Sequence, residues 1–113
     1  MSAQSKVLLV LSVLSASALT QNRFVTLQGA VPGAGLGNVG IAMMDASAAG
    51  ETIPVSVIGT HHAEAGAAVA AGAAVEVDAA GRVITKAAGI GVGRALQAAG
   101  ALGDVIEVFQ HPN

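Results

Sequence analysis

The first apolar run of the chain lacks a polar side. Residues 7–14 read VLLVLSVL, so alternate positions place apolar side chains on both faces of a strand, and only Ser12 interrupts them. A strand that is apolar on both faces is either central in its sheet or covered by something outside its own domain. We therefore expect an ordinary core strand, with an arm or edge strand used by a neighbouring subunit as the alternative.

Three further segments alternate like strands and end at turn residues. Residues 22–28 (NRFVTLQ) run into Gly29 and Pro32-Gly33, residues 36–44 form a glycine-containing strand, and residues 53–58 (IPVSVI) form a short one. Pro54 lies near the start of the third segment, which places that strand at a sheet edge or at a strand entrance.

The C-terminal part of the chain carries two hairpin patterns. The strands AAVEVD and RVITK flank Ala79-Ala80-Gly81, and IGVGRALQ pairs with VIEVFQ across AAGALGD. The Ala-rich residues 65–75 nearly repeat a six-residue unit, too briefly for a solenoid. One short helical turn around residues 64–70 is compatible with this Ala content.

Composition agrees with a thin sheet core. The chain has 113 residues, of which 25 are Ala and 15 Gly, and its larger apolar residues are 15 Val, 9 Leu and 6 Ile. This β-branched bias predicts a mainly all-β fold, a small β-barrel or β-sandwich with hairpins and at most one short helix. We divide the chain into an N-terminal arm or strand at residues 1–21 and a compact β domain at residues 22–113.

Aromatic residues, charges and cysteines exclude several classes of protein. Two Phe are the only aromatic residues, which leaves few stacking platforms for bases or sugars. Five Lys and Arg against seven Asp and Glu give a net charge of −2 with no basic cluster, so we expect no nucleic acid partner. The chain has no Cys, as in proteins that fold in a reducing cytoplasm.

A dinucleotide-binding pattern occurs at residues 35–40, which read GLGNVG. Such a loop needs a buried strand before its first glycine, a helix after it and an acidic residue about 20 positions later. Pro32-Gly33 occupies the place of the strand, and only nine residues separate Gly40 from Gly50. We therefore expect no binding of NAD, FAD or ATP and no cofactor.

Other polar residues do not form a catalytic or metal-binding pattern. His61 and His62 are adjacent, so on a strand they point to opposite faces and cannot readily share a metal ion, and we expect them to be exposed or interfacial. Ser56 lacks the glycines of a nucleophile elbow. The sequence predicts turn roles for Asp45, Asp78 and Asp104, solvent-facing positions for Glu76 and Glu107, and no enzyme.

The N-terminus imitates a secretory signal. Lys6, the apolar run and Ala16-Ser17-Ala18 follow the order of a charged, a hydrophobic and a cleavage region. The uncharged residues 7–19 are nevertheless shorter than the roughly 20 residues of a spanning helix, and we interpret them as neither signal nor membrane anchor. The alternative is an exported adhesive or binding domain that would lose residues 1–18.

Three segments together resemble one family. The segments DASAAGETIPVSVIG, AGAAVAAGAAVEVDAAGRVI and VGRALQAAGALGDVIEVFQ follow, in this order, the rhythm of the small tailed-phage capsid cement, or head decoration, proteins, over roughly residues 22–110. The resemblance implies a compact β domain on the outer surface of an icosahedral head, made in the host cytoplasm, which binds the major capsid protein and reinforces the shell.

The resemblance also implies contacts with other copies of the chain, for example as a trimer on the capsid. It implies neither a catalytic residue nor binding to a membrane. The residues expected at the interface are Val7, Leu8, Leu9, Val10, Leu11, Arg23, His61 and His62.

Overall fold

The computed structural model describes residues 4–113, and the first three residues of the predicted arm lie outside the described range. Residues 4–113 contain eight strands and no helix, which confirms the all-β prediction. The strands form one nearly closed, barrel-shaped sheet. They are β1 Lys6–Leu14, β2 Phe24–Thr26, β3 Val39–Ala42, β4 Thr52–Glu64, β5 Ala74–Val77, β6 Val83–Thr85, β7 Gly93–Ala95 and β8 Val105–Gln110.

Strand β4 is the central and longest element. The strands of the sheet follow the order β2-β3-β4-β8-β7-β5-β6, and β1 pairs with β4 outside this order. Because β1 pairs with residues 52–60 of β4, strands β3 and β8 share the opposite edge, at residues 55–56 and 59–64. Pro54 therefore lies at a strand entrance, as predicted, but the strand is central and not at the edge of the sheet.

The core is thin and made mostly of Val, Ile and Ala, as the composition requires. One apolar cluster fills the interior between β2, β3 and the C-terminal strands, and it includes Phe24, Ile41 and Val75. A second, smaller cluster lies between β1, β4 and the loop that contains Leu19, and Val13 is the residue that β1 contributes to it.

Both predicted hairpin pairings form. Strands β5 and β6 are antiparallel around Gly81, whose φ is +81°, and Asp78 Oδ1 accepts hydrogen bonds from the N–H groups of Ala80 and Arg82 at 2.9 Å. Strands β7 and β8 pair antiparallel across a longer connection. The prediction of a helical turn near residues 64–70 is wrong. Strand β4 continues to Glu64, and Val69 forms an isolated β-bridge with Ala99.

The sheet is built from the same unit twice. The pairing of β2 with β3 and of β3 with β4 recurs as the pairing of β5 with β7 and of β7 with β8. Each residue of β2 corresponds to the residue 50 positions later in β5. Residues of β3 and β4 correspond to the residues 53 positions later in β7 and β8. Four residue pairs of the first set have equivalents in the second. They are Phe24–Ile41 and Ala74–Arg94, Val25–Gly40 and Val75–Gly93, Ile41–Ser56 and Arg94–Phe109, and Ala42–Val55 and Ala95–Val108. We call residues 10–57 the first half and residues 60–110 the second half.

The first strand of each half obeys the same rule. Leu14 pairs with Thr52 in the first half, and the residues 50 and 53 positions later, Glu64 and Val105, pair in the second. The C-terminal part of β4 is thus the counterpart of β1. Strand β4 closes the first half and opens the second without a linker, while β6 has no counterpart in the first half.

The loops repeat as well. The isolated bridge between Leu19 and Ala46 corresponds to the one between Val69 and Ala99. After each bridge a carboxylate accepts hydrogen bonds from the backbone of its own turn: Glu51 from Ser47 and Ala48, and Asp104 from Gly100 and Ala101.

This duplication is visible in the sequence. Residues 39–55 and 92–108 share the pattern V-G-x-A-x-x-x-A-x-A-x-G-[E/D]-x-I-x-V, with eight identical positions. The glycine at its second position is required by a close approach of strands. A Cβ on Gly40 would lie 2.6 Å from the carbonyl oxygen of Ser56, and one on Gly93 would collide with the carbonyl oxygen of the equivalent Phe109.

Candidate interaction surface

Strand β1 is exposed along almost its whole length. Val13 is 4 % exposed and belongs to the core, whereas Leu8 is 80 % exposed. The expectation of an ordinary core strand is therefore wrong, because β1 lies outside the main strand order of the sheet and only its C-terminal end reaches an apolar cluster. The large exposed apolar side chains of this strand, here named the β1 strip, are Leu8, Leu9, Val10, Leu11 and Leu14.

The backbone of β1 offers a second binding feature. One edge of β1 pairs with β4 from Lys6 to Leu14, and among residues 4–113 no strand pairs with its other edge. A long apolar edge strand presents free N–H and C=O groups that can extend the sheet of another chain. The β1 strip therefore combines apolar surface with an open hydrogen-bonding edge.

His61 of β4 contacts Ser5, the residue that precedes β1. Its Nδ1 and the Ser5 hydroxyl share a hydrogen bond of 2.7 Å, and its Nε2 is buried without a partner among the described residues. Burial, and to a smaller extent the neighbouring His62, lowers the pKa of the His61 imidazole. His61 is buried and not exposed as expected, and His62 is half-buried, while the interface role of the two residues stays a prediction.

Arg23 is engaged in an ion pair that joins the two halves. Its Nε lies 3.2 Å from Oε1 of Glu64, whose Oε2 lies 2.5 Å from Nε of Arg82. Burial alone would raise the pKa of Glu64, but the hydrogen bonds and charges of the two guanidinium groups outweigh burial and hold this pKa below its usual value. The Arg23 guanidinium thus contacts Glu64, across the seam between the halves.

Two carboxylates expected to face solvent are buried instead. Glu76 accepts hydrogen bonds from the N–H groups of Ala87 and Gly89, and Glu107 accepts one from the N–H of Gln4 at 3.2 Å. Backbone N–H groups from other parts of the chain therefore satisfy the two carboxylates, which the sequence alone predicted to be hydrated. Nothing in the neighbouring residues of either strand indicates these partners.

The turn roles of two aspartates are confirmed. Asp78 and Asp104 accept hydrogen bonds from backbone N–H groups of their own turns. Asp45 instead accepts one from the N–H of Gln21 at 2.7 Å and so fastens two loops together.

An open pocket that no sequence pattern indicates lies on the second half. It has a volume of about 370 Å³ and a mainly apolar lining that includes Ala74 and Phe109. The cationic side chains of Lys86 and Arg94 also line it, and Arg94 donates to the carbonyl oxygen of Gly72 at 3.0 Å. The equivalent positions of the first half are filled by Phe24 and Ile41 and are covered by the second half.

The glycine pattern at residues 35–40 leads into a strand. Gly35 donates its N–H to the carbonyl oxygen of Val77, and Gly40 lies within β3, which confirms the strand predicted for this segment. In residues 4–113 no group of three or more His, Cys, Asp or Glu side chains is placed to hold a metal ion. The described residues also contain no helix of the length and apolarity needed to cross a membrane.

The structure is an all-β domain whose most prominent exposed feature is the open apolar strand β1. The family model of phage cement proteins matches residues 3–110, and the chain belongs to this family. No curated protein matches the chain.

A solved structure has the same fold. It is described as "The crystal structure of head fiber gp8.5 N base in bacteriophage phi29" and superposes with a TM-score of 0.64 over 90 % of this chain and 92 % of that chain, at 12 % identity. The similarity concerns the fold alone.

Proposed function

We propose that this protein is a capsid cement protein that binds the outer surface of an icosahedral phage head and stabilises the shell across the junctions of the major capsid protein. Membership of the phage cement family supports a structural role in the virion. The observation that carries the proposal is the β1 strip, because a strand with an open edge and exposed Leu and Val side chains is suited to pairing with a neighbouring chain.

Cementing needs no catalytic group. A protein that binds only the assembled shell stabilises it by RT ln(1 + [L]/Kd), about 2.7 kcal/mol per site at a hundredfold excess over Kd. Since a head offers many such sites, modest binding at each one adds up over the particle.

The N-terminal arm, residues 1–21, supplies part of this contact in our proposal. Residues Val7, Leu8, Leu9, Val10 and Leu11 lie against the neighbouring chain. His61 and His62 lie in β4 beneath the N-terminal end of β1, where His61 holds Ser5, and Arg23 fixes the seam between the halves.

The test mixes purified variants with undecorated heads. Leu8→Asp and Leu9→Asp place a charge on the β1 strip, and Leu102→Asp is the matched control, because Leu102 is also exposed but lies in the turn before β8. We expect at least tenfold weaker decoration for the two β1 variants, together with heads that rupture at a lower temperature, and parental behaviour for Leu102→Asp. Folded β1 variants that decorate and protect heads like the parent would contradict the role of the strip.

The exported-domain alternative makes a different prediction. Removal of residues 1–18 would take away β1, which pairs with β4 and contributes Val13 to the core. The N-terminal mass of the protein recovered from the producing cells distinguishes the two functions, since an exported domain would lack these residues, whereas a cement protein would retain them and copurify with heads.

A further inference from the structure

The Lys and Arg residues of the chain divide into two sets. Two of the five, Arg23 and Arg82, pair with Glu64, and these are the only ion pairs among residues 4–113. The other three have no carboxylate partner within the described part of the chain, and they are Lys6, Lys86 and Arg94. Three positive charges are therefore available to a negatively charged partner.

The register of the sheet places these three residues in one cross-strand row. The N–H of Lys86, just after β6, donates to the carbonyl oxygen of Ala74 at 2.9 Å and so continues the β5–β6 pairing by one residue. Direct pairs between neighbouring strands then extend the row from Ala74 to Arg94, Phe109, Thr60 and Lys6. Directly paired residues lie on the same face of a sheet, so the six residues share its outer face.

The pocket of the second half lies in this row. Ala74 stands between Lys86 and Arg94, one strand from each, which places the Cα atoms of the two cationic residues about 10 Å apart with only a methyl group between them. Among residues 4–113 no Asp or Glu lines the pocket. Glu76 lies two positions further along β5, but its carboxylate accepts hydrogen bonds from backbone N–H groups of the loop after β6.

The pocket also has an apolar wall. The half-exposed ring of Phe109 pairs across the strands with Arg94. In the first half the position of Ala74 carries Phe24, whose ring is buried, so the change from Phe to Ala leaves space for an outside group in the second half. A ligand that carries a carboxylate beside an apolar group matches both parts of this lining.

The size and shape of the pocket favour a short piece of a larger molecule. Its volume of about 370 Å³ is at the low end of ligand pockets, which usually enclose most of a free small molecule. This pocket is open to solvent, so it suits side chains that a partner protein presents to it.

We propose that this pocket binds an acidic segment of a partner protein, with a carboxylate between Lys86 and Arg94 and a neighbouring apolar side chain against Phe109. The Arg94 guanidinium is suited to hold a carboxylate by two parallel hydrogen bonds. The identity of the partner rests on the proposed cement function, under which the segment belongs to the major capsid protein. Lys6 lies two strands from Phe109 in the same row, so the row connects the pocket with the start of β1.

A peptide titration tests the pocket without heads. The probe is acetyl-Leu-Asp-amide, and acetyl-Leu-Asn-amide is its uncharged control of the same shape. In nitrogen–proton correlation spectra the acidic peptide should shift the amide signals of Gly91, Gly93 and Arg94 saturably, with a dissociation constant on the order of 5 mM. The control peptide should bind at least fivefold more weakly. Ala74→Phe fills the pocket without changing the charge and should abolish the shifts.

Decoration of heads tests the partner. Arg94→Gln and Ala74→Phe should each weaken binding to undecorated heads at least fivefold. Leu102→Asp changes the net charge by the same amount as Arg94→Gln but lies outside the pocket, and it should decorate like the parent. Raising NaCl from about 50 mM to about 500 mM should weaken decoration by the parent more than decoration by Arg94→Gln, because salt screens the charge that this variant lacks.

Three results would overturn the inference: peptide shifts that do not saturate or do not map to the pocket, equal binding of the acidic and the amide peptide, or folded pocket variants that decorate heads like the parent. The dispersion of the same spectra shows whether Ala74→Phe and Arg94→Gln are folded. A parent protein that does not bind heads at all would contradict the cement function, and the peptide titration would still decide whether the pocket binds an acidic segment.

Discussion

The first and second halves share a backbone but differ in what their side chains face. At three equivalent positions of the sheet the first half carries buried residues, and the second half carries residues on the wall of an open pocket. These pairs are Phe24 and Ala74, Ile41 and Arg94, and Ser56 and Phe109. The two halves therefore share their strand pairing. The side chains at equivalent positions differ because the face of the first half is covered by other strands and that of the second half is open.

The covering contacts come from the second half. The N–H of Phe24 donates to the carbonyl oxygen of Gly81 at 2.7 Å, and the Ser56 hydroxyl donates to Oε1 of Gln110 at 2.5 Å. Among residues 4–113 no segment covers the equivalent face of the second half in this way, so a cationic Arg94 and a half-exposed Phe109 are compatible with it.

The largest effect should come from removing the aromatic ring that fills the first half. Phe24→Ala leaves a cavity in the main apolar cluster and should lower the free energy of unfolding by about 3–5 kcal/mol. Phe109→Ala, its control on the exposed face, should change it by less than about 1 kcal/mol. Urea unfolding of both variants provides the measurement, and equal losses would mean that the two faces are equally covered.

A smaller effect should come from the seam between the halves. Gly81 has a positive φ, and a Cβ there would collide with the carbonyl oxygen of Phe24, so Gly81→Val should lower the free energy of unfolding by about 1–3 kcal/mol. Gly50 has a φ of +91° but open space around it, so Gly50→Val should show only the backbone strain. If Gly50→Val destabilised the protein as much as Gly81→Val in thermal unfolding, close packing at the seam would contribute nothing.

The smallest effect should appear in the pH dependence of stability. His61 has a lowered pKa in the folded protein, so the unfolded chain takes up a proton first as the pH falls below about 6.5. The free energy of unfolding should decline from there, and a further decline below about pH 4.5 should follow as Glu64 loses its charge.

Replacing the buried imidazole isolates the first of these two steps. His61→Gln should flatten the decline between about pH 6.5 and pH 5, whereas His62→Gln, which keeps the buried imidazole, should retain it. Denaturant titrations at a series of pH values measure the slope. An unchanged slope in His61→Gln would show that other groups cause the decline.

Local patterns were sufficient to predict most strands and both hairpin pairings, because alternation and turn residues act over a few positions. They were insufficient for burial, which depends on distant partners: Glu76 is satisfied by Ala87 and Gly89, and β1 lies outside the sheet path although its sequence is apolar on both sides. Strand β4 extends past Gly59 to Glu64, beyond the predicted end at Ile58, because β1 and β8 pair across that glycine.

The duplication itself was readable but was missed. The longer match between residues 39–55 and residues 92–108 carries the duplication, whereas the short Ala-rich near-repeat at residues 65–75 does not. Glycines that suggested a phosphate loop, such as Gly40, are instead positions where two strands approach too closely for a Cβ.

The continuity of β4 through both halves determines how the domain carries mechanical force. A pull on β1 along its length loads the eight β1–β4 residue pairs together, in shear, instead of peeling them apart one at a time. The covalent backbone of β4 then transmits this tension into the second half, where the pairing with β8 carries it further. Because no loop interrupts β4, tension applied to β1 reaches the β4–β8 pairing through one continuous strand.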